Sequence, residues 1–209
     1  AETSDCRLRL VRSVGEIESA WEAGAIAAVC HMEGADAVSS TLEELDVYYG
    51  AGLRSLGPVW SRHNRFAHGV PIFGKGSPDT APGLTEAGRR LVKRCEKLGI
   101  VVDLSHMSEQ GFWDVSRLSS APLVASHSNA WELCNSPRNL TNRQLATICS
   151  SDGLAGINLG TLFLREDGRV DENTPLSLVV EHIRFVADRI GVERVALGSD
   201  FDGTTVPKD

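Results

Sequence analysis

The sequence lacks the features that mark membrane, secreted and nucleic-acid-binding proteins. No apolar run approaches the roughly 20 residues of a membrane span, and the first residues carry no charged-then-apolar signal pattern. The net charge of −7 argues against a nucleic-acid partner. With 42% apolar and 23% charged residues over 209 positions, the composition predicts one globular domain with a sizeable core. We expect a cytoplasmic protein.

Cysteine is present in an odd number and without a Cys-x-x-C pair. The five residues are Cys6, Cys30, Cys95, Cys134 and Cys149. An odd count argues against a disulfide framework, and these spacings argue against a thiolate metal site. We therefore expect buried free thiols in a reducing compartment.

Helix and strand signals alternate along the chain. Short apolar runs predict six strands, at residues 25–30, 52–60, 100–104, 122–125, 154–159 and 195–197. Helices between them are predicted to begin at Ser13, Thr41, Thr85, Ser108 and Thr141. Apolar strands that alternate with helices indicate a parallel sheet buried on both faces. A doubly wound sheet and a barrel both fit this order, and the candidate site residues favour the barrel.

Two of the predicted strands end in histidine. His106 ends the run V-V-D-L-S-H, and His127 ends the run P-L-V-A-S-H, with one helical segment between them. The ends of successive parallel strands meet at one rim of a sheet, where an α/β barrel builds its active site. Two imidazoles that converge at this rim predict a metal site. The alternative is that each histidine only makes a hydrogen bond at its strand end.

Carboxylates follow two other predicted strands. Glu33 follows the first strand and Asp200 follows the last. Imidazole nitrogens and a carboxylate together suit a divalent cation, and one carboxylate can bridge two ions. Asp200 at the rim can accept a proton from an activated water and deliver it to a leaving group. As alternatives, Glu33 can be a favourable acid at a helix N-terminus, and Asp200 can form an Asx turn.

Three further residues are judged by their position in the sequence alone: two are candidates for substrate binding, and one is not. Arg138 lies 11 residues after His127 on a predicted loop, where its guanidinium can grip a substrate carboxylate or pair with a helix end. His63 lies in a loop over residues 61–83, a length typical of functional or mobile loops. His182 lies in a helix between polar neighbours, and we expect it to be solvated.

Five segments resemble the membrane dipeptidase (renal dipeptidase) family, peptidase family M19, a branch of the metal-dependent amidohydrolases. They are H-M-E-G-A-D, L-T-E-A-G-R-R-L-V-K-R-C-E-K-L-G-I-V-V-D-L-S-H-M-S, P-L-V-A-S-H-S-N-A, P-R-N-L-T and L-G-S-D-F-D-G. They occur in the family's order from about residue 24 to residue 203. The resemblance implies an α/β fold of the TIM-type (β/α)8 barrel class. It also implies a zinc-dependent dipeptidase in which a metal-activated hydroxide attacks the peptide bond.

The resemblance also implies roles for individual residues. Glu33 would bridge two zinc ions, and His106 and His127 would complete one of the two sites. Arg138 would bind the C-terminal carboxylate of a dipeptide. Asp200 would be the general acid/base that acts on the bridging hydroxide and the departing amine. The implied partners are a small dipeptide and, in a homodimer, a second copy of the chain.

Two departures from the family pattern change these expectations. The sequence has no His-x-Asp pair, which in the family supplies the terminal ligands of the other zinc. Its first predicted strand resembles the family's third, so we interpret residues 1–209 as a single barrel domain, incomplete at both termini, that covers strands three to eight. Where many relatives place a substrate-binding histidine, this chain has Trp60, a variant of a bacterial branch. His63, three residues on, is a candidate substitute.

Two other functions fit the same residues. One is a related amidohydrolase that acts on N-acyl amino acids or other small amides. The other is a catalytically inactive partial barrel with a binding or assembly role, because an open barrel exposes two strand edges that favour association. An upstream His-x-Asp segment would favour the enzyme over the inactive barrel.

Overall fold

A computed structural model describes residues 7–208. The strands are β1 (Leu8–Val11), β2 (Ile26–Glu33), β3 (Leu53–Gly57), β4 (Val101–Val102), β5 (Val124–Ala125), β6 (Leu154–Ile157) and β7 (Val195–Leu197). The helices are α1 (Val14–Glu22), α2 (Glu43–Ala51), α3 (Glu86–Leu98), α4 (Glu109–Leu118), α5 (Asn142–Ser150), α6 (Thr161–Leu164) and α7 (Leu176–Ile190). Within this part of the chain no helix combines the length and apolar character needed to cross a membrane.

The seven strands run parallel and follow one another in chain order. Strands β1 to β4 form one sheet and β5 to β7 another, and a parallel bridge between Asp103 and Val124 joins the two. A doubly wound sheet would reverse its strand order at a switch point, whereas the strands of an α/β barrel keep chain order. The arrangement therefore confirms the predicted α/β class and is that of a barrel wall.

The structure contains one strand more than the sequence predicted. Strand β1 pairs with β2 in the register Leu8 with Ile26 and Val11 with Val29. It escaped the prediction because Arg9 interrupts its short apolar run. Residues 7–208 thus supply seven strands of a barrel wall, one more than the six that the sequence predicted.

Four of the five predicted helix starts have the expected cap. The side chains of Ser13, Thr85, Ser108 and Thr141 each accept a hydrogen bond from the backbone N–H three residues on. The prediction for Thr41 was wrong, since α2 begins after Leu42, which has a left-handed backbone with φ of 67°. The hydroxyl of Thr41 instead bonds to that of Ser39.

Two apolar clusters form the core between strands and helices. The larger one packs Phe112, Leu145, Ile148, Ile157 and Val186 among its fully covered members. The smaller one includes Leu45, Leu56, Phe66, Leu91 and Cys95. Burial of Cys95 raises the pKa of its thiol to about 12, because the thiolate would lose its hydration.

The expectation that the cysteines are buried free thiols holds only in part. Cys95 and Cys134 are buried, and Cys149 is partly covered. Cys30 is exposed on β2, so the expectation was wrong at this position. An apolar strand predicted burial there, but β2 leaves several of its side chains open to solvent. Cys6 lies outside the described residues.

The prediction that His182 is solvated was also wrong. Its side chain is buried on the inner face of α7, and burial lowers the pKa of its imidazole. One ring nitrogen accepts the N–H of Ala130 at 3.1 Å, and the other donates to the carbonyl oxygen of Leu164 at 3.0 Å. Both nitrogens are satisfied, so the neutral ring tolerates burial. Its polar sequence neighbours point elsewhere on the helix.

The long irregular segment after β3 folds back over the rim of the sheet. Val70 donates its N–H to the carbonyl oxygen of His106, and Ser108 donates to that of His68. Further along, the Trp131 indole donates to the carbonyl oxygen of Gly76 at 2.8 Å. The loop is therefore tied at several points to the segments that follow β4 and β5, which carry the candidate metal ligands.

Close packing at Gly156 generates a prediction about stability. A Cβ at this position of β6 would overlap the carbonyl oxygen of Ser126 at the end of β5. We expect Gly156→Ala to lower the free energy of unfolding by about 1–3 kcal/mol, as overpacked sites do. Urea denaturation measures this change. The matched control is Gly50→Ala in α2, where a Cβ meets nothing within 4 Å and should be neutral or stabilising. Equal stability of the two variants would contradict the strand contact.

Candidate metal centre

Three side chains from different strands bring their donor atoms to one point. Glu33 Oε1 lies 3.0 Å from His106 Nε2 and 3.2 Å from His127 Nε2. The two Nε2 atoms are 2.9 Å apart. Ligands around a tetrahedral zinc, at bond lengths of about 2.0–2.1 Å, stand about 3.3 Å from one another. The three donors are therefore nearly at the spacing that a single ion requires, and they form the candidate metal cluster of residues 7–208.

The charge states of these groups suit metal binding. The imidazoles of His106 and His127, in contact with its carboxylate, hold the pKa of Glu33 well below its usual range, so it is ionised. Burial and the nearby Arg138 cation lower the pKa of His106 to about 3, so its imidazole is neutral at physiological pH. An ionised carboxylate and a neutral imidazole are the forms that bind a divalent cation.

Local backbone features aim Glu33 and His106 at this point. The pairing of β2 with β3 shifts register between Cys30 and His31, and such bulges redirect the residues that follow. His106 has a left-handed backbone with φ of 69°, which is uncommon outside glycine. Its Nδ1 lies 2.6 Å from the hydroxyl of Ser61 in the long loop, leaving Nε2 to face the cluster.

His127 is held by a chain of polar contacts beneath the cluster. Its Nδ1 lies 2.7 Å from Ser126 Oγ, and that hydroxyl donates to Asp103 Oδ2 at 2.5 Å. The N–H of His127 donates to Ser105 Oγ at 3.0 Å. Burial alone would raise the pKa of Asp103, yet this pKa is lowered by His127 and by hydrogen bonds from Ser126 and Ser105.

Arg138 lies directly behind the two histidines. Its guanidinium donates to the carbonyl oxygen of His127 at 3.1 Å, and Nη2 is 3.3 Å from His106 Nε2. The side chain is 4% exposed, and burial lowers its pKa to about 10. Its Nε is buried and has no hydrogen-bond partner within residues 7–208. A buried donor without a partner is costly.

A cavity of about 420 Å³ opens beside the cluster. Glu33, Trp60, His106 and Asp200 line it. The remaining lining residues are apolar or small: Ile72, Phe73, Leu162, Phe163, Val170, Gly203, Thr204 and Thr205. Asp200 accepts a hydrogen bond from the Asn158 amide at 2.9 Å, which orients its carboxylate at the cavity wall.

The structure brings together most of the predicted site residues but not all of them. Trp60 lines the cavity, with its ring centroid 5.7 Å from that of His106. Arg138 contacts both histidines without lining the cavity. His63 is exposed, stacks against His68, and lies outside the cavity wall. We proposed His63 because it lies three residues after Trp60 in the sequence. In an irregular loop, closeness in sequence does not place a side chain in the same cavity.

Several residues at the site were not singled out in the sequence. Asp103 lies within the run V-V-D-L-S-H, where an acid in an apolar strand was an available signal. Ser61, Ser126 and Asn158 carry no such signal, because hydroxyl and amide residues are common at strand ends and in loops. Phe73 enters the cavity through the fold of the long loop, which sequence spacing does not predict.

Comparisons with known proteins agree with the resemblance in the sequence. The family model described as membrane dipeptidase (peptidase family M19) matches residues 1–209. An uncharacterized protein of the pqqA 5′ region in Klebsiella pneumoniae is 48% identical over 203 residues, covering 97% of this chain and 75% of that protein. The match therefore extends over the described strands and all candidate site residues.

Solved structures share the fold of this chain. A metallo peptidase from Rhodobacter sphaeroides, liganded with a phosphinate mimic of the dipeptide L-Ala-D-Ala, has a TM-score of 0.96 and 51% identity. The match covers 98% of this chain and 58% of that one. An amidohydrolase from Pseudomonas aeruginosa, at 23% identity, has a TM-score of 0.82 and covers 99% and 59%, which supports the fold alone. The chain thus spans less than two thirds of the length of these two structures.

The converging donors predict how metal affinity depends on Glu33. Glu33→Gln keeps the shape of the side chain but removes its charge and one oxygen ligand. We expect it to weaken zinc binding by more than about 100-fold. Even the loss of a residue that only hydrogen-bonds to a metal ligand lowers metal affinity by about 10–100-fold. Competition with a chromophoric chelator measures the affinity. Glu43→Gln, at an exposed glutamate that begins α2, should bind zinc as tightly as the unsubstituted protein. Equal binding by both variants would remove Glu33 from the metal site.

Proposed function

The chain belongs to the membrane dipeptidase family, peptidase family M19, and we propose that it acts as a zinc-dependent hydrolase of small dipeptides. The observation that carries this proposal is the convergence of Glu33, His106 and His127 beside a cavity that Glu33, His106 and Asp200 line. Two imidazole nitrogens and a carboxylate form a donor set that zinc accepts in catalytic sites. The cavity volume of about 420 Å³ lies in the range of small-ligand sites.

Glu33, His106 and His127 would hold the ion. When bound, zinc supplies a Lewis acid for the substrate carbonyl and lowers the pKa of a water to near neutral. The neutral form of His106 keeps its Nε2 lone pair available, because burial and the Arg138 cation disfavour its protonation. The ionised form of Glu33 offsets part of the positive charge of the ion. We expect these three donors to bind one ion.

Asp200 is the residue suited to move the proton in the reaction. Its carboxylate lines the cavity with Glu33 and His106, and the Asn158 amide holds one of its oxygens at 2.9 Å. A carboxylate in this place can take a proton from the attacking water and deliver it to the departing amine. The donation from Asn158 leaves the second oxygen of Asp200 as the acceptor for that proton.

Arg138 is suited to bind a substrate carboxylate from behind the cluster. Its Nε has no protein partner among the described residues, and the guanidinium stands 5.3 Å from the Phe163 ring, which lines the cavity. A fork of N–H donors matches the two oxygens of a carboxylate. The Rhodobacter sphaeroides relative was solved with a mimic of L-Ala-D-Ala. We propose a dipeptide with similarly small side chains as the substrate here, because apolar walls limit the space beside the ion.

The proposal predicts a requirement for both zinc and a free substrate carboxylate. Protein reloaded with zinc should release amino acids from small unblocked dipeptides, and a chelator should abolish the release. Amidated dipeptides should be poor substrates. We expect Arg138→Lys to raise KM by about 10–100-fold with a smaller effect on kcat, because a charged hydrogen bond contributes about 1.5–3 kcal/mol. Amino-acid release measured by chromatography gives both constants.

Two outcomes would contradict this assignment. Absence of hydrolysis by the zinc-loaded protein across small dipeptides would overturn the proposed activity. Equal rates on free and amidated dipeptides would remove the carboxylate-binding role from Arg138 and favour a hydrolase of other small amides.

Asp200→Asn tests the proton-transfer role separately from metal binding. The substitution preserves shape but removes the proton-accepting charge, so kcat should fall by about 10²–10⁴-fold. Zinc content, measured by atomic emission, should stay near that of the unsubstituted protein. Asp202→Asn is the matched control, since Asp202 is exposed and lies outside the cavity wall. Loss of zinc together with activity would instead make Asp200 a metal ligand.

A further inference from the structure

Asp103 is a buried carboxylate that the proposed reaction does not use. It stands at the end of β4 and is 2% exposed. Its Oδ1 accepts the N–H groups of Ser105 at 3.1 Å and Ser126 at 2.9 Å, and its Oδ2 accepts the hydroxyl of Ser126. An imidazole nitrogen of His31 lies 3.8 Å away. Within residues 7–208 no lysine or arginine pairs with it at salt-bridge distance. A buried carboxylate without a lysine or arginine partner is expensive, so its retention calls for a physical reason.

The direction of the hydrogen bonds around Ser126 supplies that reason. Three donors converge on Asp103, which favours its ionised, acceptor-only form. The single hydroxyl hydrogen of Ser126 is therefore committed to Asp103 Oδ2 at 2.5 Å. Ser126 Oγ can then only accept from His127 Nδ1, which lies 2.7 Å away. It follows that Nδ1 carries the proton and that Nε2, which faces Glu33, carries the lone pair.

We propose that Asp103 is a positioning residue for the metal centre: through Ser126 it fixes the tautomer and orientation of His127, so that Nε2 is held ready for the ion. The inference rests on the proposed function, because it gives Asp103 a role toward the metal that His127 would bind. Metal-binding histidines commonly donate their second N–H to such a partner. Here the N–H of His127 donates to the hydroxyl of Ser126, and that hydroxyl donates to the carboxylate of Asp103.

His106 provides an internal contrast. Its Nδ1 also meets a hydroxyl, that of Ser61 at 2.6 Å. Among the described residues, Ser61 makes no hydrogen bond to a carboxylate, so its hydrogen is not committed in the same way. The backbone of His106 is instead constrained by its left-handed conformation. The two rings are therefore oriented by different means, and the side-chain relay from Asp103 leads to the ring of His127.

The substitution Asp103→Asn would reverse the polarity of the relay. The oxygen of the new amide would keep the two backbone N–H donors, and its NH₂ group would then face Ser126 Oγ. Ser126 would accept from that NH₂ group and turn its own hydrogen toward His127 Nδ1. His127 would shift to the Nε2–H tautomer, which cannot bind an ion through Nε2. Ser126→Ala removes the relay while it leaves the Asp103 charge and both backbone contacts in place.

The test compares zinc affinity and imidazole tautomer in Asp103→Asn, Ser126→Ala and a matched control. The control is Asp114→Asn, since Asp114 is also buried, accepts the N–H of Leu84 at 2.9 Å and pairs with Arg117, away from the cluster. Zinc affinity is measured by chelator competition, and long-range ¹H–¹⁵N NMR of the zinc-loaded protein reports the Nδ1–H of His127. We expect a 10–100-fold loss of affinity in both relay variants, with the Nδ1–H signal broadened. Asp114→Asn should leave both readouts unchanged, whatever its effect on stability.

The outcomes separate this inference from the function on which it rests. If the unsubstituted protein binds zinc and both relay variants bind it equally well, the positioning role is wrong and the metal centre stands. If Asp114→Asn loses as much affinity as the relay variants, Asp103 contributes only to folding. If the unsubstituted protein binds no zinc, the proposed metal centre fails first and the inference fails with it. Should Asp103→Asn not fold, Ser126→Ala retains the buried carboxylate and decides between the same outcomes.

Discussion

The junction between β4 and β5 is the constraint on which the site depends. Here a single parallel bridge, from Asp103 to Val124, joins the four-stranded sheet to the three-stranded one. Asp103 strengthens the junction by accepting from Ser126 across it, and Ser105 Oγ accepts the N–H of His127. Both histidines follow this junction by a few residues. A slip of one residue would turn one imidazole away from the other, because side chains alternate between the two faces of a strand.

The charges around the junction explain why the site suits a cation. Arg138 is buried, and burial lowers its pKa, but Asp103, Asp200 and Glu33 each act to raise it. Three carboxylates therefore act electrostatically on one guanidinium, which leaves an excess of negative charge beside neutral His106. In a partly dehydrated site this excess favours a divalent ion more strongly than it would in water. The same guanidinium keeps a positive group near the place where an anionic part of a substrate would lie.

Buried amides connect the residues to which we assign roles toward the substrate. Asn129 donates to the carbonyl oxygens of Asn158 and Phe163, and Asn139 also donates to Phe163. Asn158 in turn donates to Asp200. The loop that carries Arg138, the short helix α6 and the end of β7 are thus held by directional bonds instead of apolar contact alone. Such fully satisfied networks specify one arrangement, since breaking any member leaves a buried polar group unpaired.

The alternation of helices and strands, most helix starts and the candidate metal-ligating residues were readable from residue order. They depend on local chemistry: hydroxyl caps at Ser13, Thr85, Ser108 and Thr141, and polar residues at or just beyond the ends of apolar strands at Glu33, His106 and His127. Chain order in a parallel sheet carries these strand ends to one rim, so their proximity required no knowledge of packing. Strand β1 was missed because pairing with β2, and not its own apolar pattern, makes it a strand.

Folding in three dimensions decided what local pattern could not. Cys30 is exposed and His182 is buried because of the elements that do or do not cover them. The residues next to them in the sequence do not predict this coverage. Phe73 lines the cavity while His63 does not, because hydrogen bonds from Val70, Ser108 and Trp131 set the path of the loop. The position of Asp103 beneath His127 likewise arises across two strands. Contacts between residues distant in sequence depend on the whole backbone, and the tertiary structure alone determines them.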